Sequence, residues 1–117
     1  MTAIAARYDM ICDQGATFSR VITWEDSNGS PINLTAYTAR MQVRPEASSS
    51  TTTLSLTTEN GRITLGGSAG TITLTVAAAD TAAVAAGPYV YDLELVSGGV
   101  VTRLTMGSFT VRAEVTR

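Results

Sequence analysis

The sequence predicts an all-β protein: one antiparallel β-sandwich of about eight or nine short strands, with one short helical turn near residues 78–85. Three observations carry that prediction. Apolar side chains recur with period two along most of the chain, turn signals divide these runs at short intervals, and one Ala-rich stretch breaks the rhythm. Successive side chains of a strand point to opposite faces, so alternation marks a sheet with one face buried and one wet. Strands of a parallel sheet buried on both faces would read as unbroken apolar runs instead.

The elements follow in order. Residues 7–12 read as a strand that admits two roles. Either the N-terminal segment reaches a neighbouring subunit, with Ile4, Tyr8 and Met10 as contacts and residues 1–6 as a partner-binding arm, or residues 7–12 are the first strand of the same sandwich. In the strand at 16–25, Phe18, Ile22 and Trp24 share one parity and are expected in the core, where loss of Trp24 would rank among the most damaging changes. Arg20 shares that parity, so it lies at the sheet's margin or meets a buried carboxylate. Asp26-Ser27-Asn28-Gly29 is a turn before the strand at 36–44, and Ala47 to Thr53 is a mobile Ser/Thr loop.

Leu54 and Leu56 mark a strand at 52–58, Ile63 and Leu65 another at 62–65, and Asn60-Gly61 between them predicts a hairpin. Gly66 to Gly70 leads into the clearest run, Thr71-Ile72-Thr73-Leu74-Thr75-Val76. The Ala-rich stretch follows, with Asp80 placed to cap one helical turn and Gly87 to end it. A short crossing before a Tyr-bearing strand is the setting of the tyrosine corner of Ig-like sandwiches, with Tyr89 or Tyr91 bonding back to the turn. Strands at 88–96, 100–106 and 108–115 close the chain, with Ser97-Gly98-Gly99 as a hairpin signal.

A length of 117 residues suits one domain, residues 1–117. The hydrophobic fraction of 44% is that of a globular chain, whereas the charged fraction of 15% is low against an average of about 25%. All eight basic residues are Arg, a side chain enriched at protein interfaces where Lys is depleted, although a GC-rich genome would give the same bias. A net charge of −2 speaks against nucleic acid as a partner. Cys12 stands alone, so no internal disulfide is expected. No run approaches the roughly 18 apolar residues of a membrane span, and Met1 to Ile11 lacks the regions of a secretory signal, so assembly inside a cell is expected.

The chemistry-bearing patterns are sparse. Histidine and lysine are absent, which removes the commonest general base and metal ligand, and the amine of Schiff-base chemistry. The glycines at 66–70 lack the lysine of a phosphate loop, and Asp26, Asn28 and Ser30 lack the closing carboxylate of a calcium loop. Asp92 and Glu94 share a face like a glycosidase pair, but Arg103 on the partner strand makes a cross-strand ion pair the better reading. No enzyme, metal site or cofactor is expected.

Several segments together carry a resemblance. Gln14-Gly15-Ala16-Thr17-Phe18 leads into Ile22-Thr23-Trp24-Glu25-Asp26, and Gly29-Ser30-Pro31-Ile32-Asn33-Leu34-Thr35 into Tyr37-Thr38-Ala39-Arg40-Met41-Gln42-Val43-Arg44. Thr81-Ala82-Ala83, Gly87-Pro88-Tyr89-Val90-Tyr91-Asp92-Leu93-Glu94-Leu95, Gly107, Val111 and Glu114-Val115-Thr116-Arg117 follow. This order resembles small virion proteins encoded among the structural genes of tailed bacteriophages and, more distantly, the N-terminal Ig-like sandwich of phage upper-baseplate proteins. The likeness spans nearly the whole chain, in turns and core positions.

The resemblance implies an adaptor or decoration subunit of the tail, baseplate, neck or capsid surface, located in the virion after assembly in the host cytoplasm. Its partners would be other virion proteins, within a homo-oligomer or a symmetric array. The baseplate proteins continue into a receptor-binding extension, whereas this sequence stops at Arg117, which favours a connector or cement role. The competing reading is a carbohydrate- or receptor-binding sandwich. Such sites present aromatic side chains or a calcium cluster on loops, and Ser27–Ile32, Ala47–Thr53 and Gly66–Gly70 hold no aromatic residue.

Overall fold

The computed structural model describes residues 6–117, so Ile4 and most of the expected 1–6 arm lie outside the described residues. The chain forms an all-β sandwich. Its elements are β1 (Ala6–Arg7), β2 (Met10–Asp13), β3 (Phe18–Thr23), β4 (Thr38–Arg44), β5 (Leu54–Thr57), β6 (Ile63–Leu65), β7 (Thr71–Val76), α1 (Ala78–Ala82), β8 (Gly87–Ser97) and β9 (Val100–Arg112), with a 3-10 turn at Gly67–Ala69. The larger sheet has the order β1-β9-β8-β4-β5, with β2 also on β9, and the smaller has the order β3-β7-β6. No helix among the described residues is long and apolar enough to cross a membrane.

The alternation fixes which side chains go inside. Ile72, Leu74 and Val76 of β7 are buried, as are Met41 and Val43 of β4, Leu54 and Leu56 of β5, and Leu93 and Leu95 of β8. Phe109 of β9 sits between the sheets, its ring 5.3 Å from that of Phe18 on β3 and 6.5 Å from that of Tyr91 on β8. Trp24 is less central than its parity suggests. It is half-buried, packed edge-on to Tyr37 at 5.7 Å, one residue past the end of β3 at Thr23. Arg20 takes the marginal position, its guanidinium 4.9 Å over the Phe18 ring and bonded to the Ile11 carbonyl at 2.7 Å.

Four expectations need correction. The larger sheet is not wholly antiparallel, since β1 and β2 both run parallel to β9. Alternation reports which face is buried and says nothing of strand direction, so the pattern could not show this. Asn60-Gly61 does not close a hairpin: β5 belongs to the larger sheet and β6 to the smaller, and the turn carries the chain from one to the other. The strands expected at 100–106 and 108–115 are one, because Gly107 continues β9 without a turn. The helical turn is shorter than expected, and its N-cap is Ala77 rather than Asp80.

Candidate functional site

The N-terminal strands are fastened to β9 by a cluster around Gly107. Tyr8 N donates to Met106 O at 2.9 Å, and the Asp9 carboxylate accepts the Ser108 N–H at 2.9 Å, standing in for a backbone carbonyl of the ladder. A Cβ at Gly107 would lie 2.8 Å from Tyr8 O and 2.6 Å from Asp9 Oδ1, so only glycine permits this approach. Tyr91 stands opposite Gly107 and donates its hydroxyl to Tyr8 O. Burial pushes the Tyr91 hydroxyl up from the usual phenol range. The Ser108 N–H holds Asp9 below the ordinary aspartate range, and the Arg112 guanidinium, at 2.6 Å, does the same for Asp13.

Of the three expected partner contacts, only Tyr8 lies at the surface of the described structure. Met10 is 2% exposed and sits in the core opposite Phe109, so it is not available to a neighbour. Its place follows from parity: Met10 and Cys12 face inward from β2 while Ile11 and Asp13 face out. Residues 10–13 are thus a strand of the sandwich itself.

The corner after β7 is built as a cross-link rather than as a capped helix. Tyr89 donates its hydroxyl to Ala85 O at 2.7 Å, the back-bond expected of a tyrosine corner. Gly87 does not terminate α1. It opens β8 at φ 149°, while Ala83 ends the helix in a right-handed conformation. Asp80 pairs with Arg62 at 3.0 Å. The central group here is Thr81, which the sequence reading passed over. Fully buried, its hydroxyl accepts from Gly15 N at 3.1 Å and donates to Ala16 O at 2.8 Å, while Gln14 Nε2 donates to Val84 O at 2.8 Å. The available signal was a lone hydroxyl in an Ala-rich crossing.

The outer face of the larger sheet holds an open groove of about 560 Å³ across β4, β8, β9 and β1. Val90, Met106 and Gly107 contribute to its lining, together with Arg7, Arg44 and Arg103. Asp92 pairs with Arg103 at 3.4 Å across the strands, as expected, and Glu94 pairs with Arg40 at 2.7 Å. Both carboxylates of the glycosidase-like pair are therefore engaged by arginines. Arg44 is held by neutral acceptors, the Ser49 carbonyl at 2.8 Å and the Gln42 side chain at 2.7 Å. Met106, 40% exposed, and Ile11, 46% exposed, lie on the same face as Val90 and add apolar area. Apolar and charged side chains are interleaved along the groove, with Asp92 directly opposite Met106. Comparison with protein-family models and with curated proteins finds no match to this chain.

Proposed function

We propose that this protein is a non-enzymatic structural component of a bacteriophage particle, an adaptor or decoration subunit of the tail, baseplate, neck or capsid surface. It works through contacts with other virion proteins, in a homo-oligomer or a repeated array, and resides in the virion after assembly in the host cytoplasm. The groove on the outer face of the larger sheet is the observation that carries the contact role. Its exposed Val90 and Met106 offer area to bury, and its arginines supply planar donors for a partner's carboxylates and carbonyls. The resemblance to small phage virion proteins supplies the setting.

The test is incorporation into particles. A Met106→Glu variant replaces apolar area on the groove floor with a charged side chain beside Arg7, at an exposed position outside the core. It is expected to melt with the parent and to be lost from purified particles. Incorporation equal to the parent's removes the groove as the contact surface. Particles that form, mature and infect without ever containing the parent protein overturn the structural role.

A further inference from the structure

Among the described residues, the smaller sheet ends in a strand edge unlike those of β5, β2 and β6. At β5, Ser55 O accepts from Asn60 Nδ2 at 2.9 Å and from Arg62 at 3.0 Å, and Thr57 N donates to Asn60 Oδ1 at 3.0 Å. That edge is plugged by side chains. At β2, Arg20 occupies the Ile11 carbonyl, and β6 is only three residues long.

The edge of β3 differs. Gly66 N bonds Thr71 O and Thr75 N bonds Arg62 O, so Thr71, Thr73 and Thr75 turn their backbone groups toward β6. Ile72, Leu74 and Val76 therefore turn theirs toward β3, where their partners are Ile22, Arg20 and Phe18, and Trp24 N to Gly70 O continues the same phase. Backbone groups alternate in direction along an antiparallel strand, which leaves those of Ser19, Val21 and Thr23 aimed away from the sheet. Among the described residues no strand meets them, and only Ser19 O has a partner, the Arg20 guanidinium at 2.8 Å.

The side chains that β3 turns to the outer face are uncharged. Val21 is 60% exposed, and Ser19, Val21, Thr23, Thr64, Thr71, Thr73 and Thr75 share the outer face of the smaller sheet. Charge, proline and bulges blunt an edge, and β3 carries one of them: Arg20, which points to the inner face and holds Ser19 O, while the backbone groups of Val21 and Thr23 are left open. We infer that β3 is the docking edge for a second copy of the chain, pairing antiparallel with β3 of its partner about a two-fold axis at Val21.

The segment is self-complementary in that arrangement. Hydroxyl, valine and hydroxyl are disposed about Val21, so Val21 meets Val21 of the partner subunit, and Ser19 meets Thr23 of the partner subunit. Cross-strand Thr–Ser and aliphatic pairs of this kind are favourable, and such a contact closes on itself. Arg20 stays on the inner face, over Phe18, and its hold on Ser19 O leaves that oxygen a second lone pair for an incoming N–H. The two smaller sheets become one continuous sheet of six strands. This inference goes beyond the particle role and stands or falls independently of it.

The experiment is sedimentation equilibrium of the purified 117-residue chain over a wide concentration range, with circular dichroism on each variant. The parent is expected to pass reversibly from monomer to dimer. Val21→Pro removes an outward-facing N–H and no bond to β7, and Val21→Lys places a charge on the two-fold axis. Either folded variant is expected to weaken association at least about tenfold. Amide exchange of Val21 and Thr23 is expected to slow as the parent's concentration rises. A parent that stays monomeric throughout overturns the inference, and so does a dimer that both substitutions leave intact.

Discussion

Thr81 shows how one hydroxyl can organise a corner. An unpaired polar group inside a protein costs more than a hydrogen bond contributes, so the Ala-rich crossing must direct Thr81 at acceptors and donors on the β2–β3 turn. It finds Gly15 N and Ala16 O. Thr81→Val keeps the shape and deletes both bonds, and is expected to cost about 1–2 kcal/mol, since Gly15 and Ala16 retain some access to water. Thermal unfolding checks it, with a fall of several degrees in Tm expected. Tyr89 was legible because a tyrosine at the start of a strand after a crossing has few other uses. Thr81 was not, because a buried threonine and an exposed one look alike in sequence. The same blindness covers Asn60, whose side chain closes the β5 edge rather than a hairpin turn.

At the scale of elements, the N-terminal strands depend on two carboxylates. Asp9 takes the place of a backbone acceptor at Ser108, and Asp13 grips Arg112 with both oxygens, at 2.6 and 3.0 Å. Both groups titrate below the ordinary aspartate value of about 3.9 that they would have when unfolded. Their contribution is therefore fully present above that value and lost as pH falls through the depressed folded values. Protection of the Met10 and Cys12 amides against exchange is expected to hold from neutral pH to the acid edge and then fall. An Asp9→Asn, Asp13→Asn double variant is expected to flatten that response. Strand positions from β3 to β8 were legible in the period-two pattern. The parallel attachment of β1 and β2 was not, because it rests on Gly107 and Asp9, which carry no periodic signal. The apolar character of Met10 alone could not say whether it faced its own core or a neighbour, and the structure places it in the core.

For the molecule as a whole, stability concentrates where the sheets meet. Phe109 is 0% exposed and touches aromatic rings from both sheets, Phe18 on one side and Tyr91 on the other. Phe109→Ala is expected to cost about 3–5 kcal/mol, a large share of the 5–15 kcal/mol typical of a domain. Trp24→Ala is expected to cost less, because its indole is only half-buried. Denaturant melts of the two variants side by side order them, and a larger loss at Trp24 would relocate the centre of the core. The parallel pairing of the first and last strands has a mechanical consequence. Tension that draws Ala6 backward and Arg112 forward loads the β1–β2 and β9 ladder along its length, in shear. Its hydrogen bonds must then yield together rather than one after another, as they would in a peeled antiparallel hairpin. Resistance to force is a matter of unfolding rate, so this sandwich is built to give way slowly when pulled from its two ends, whatever its equilibrium stability.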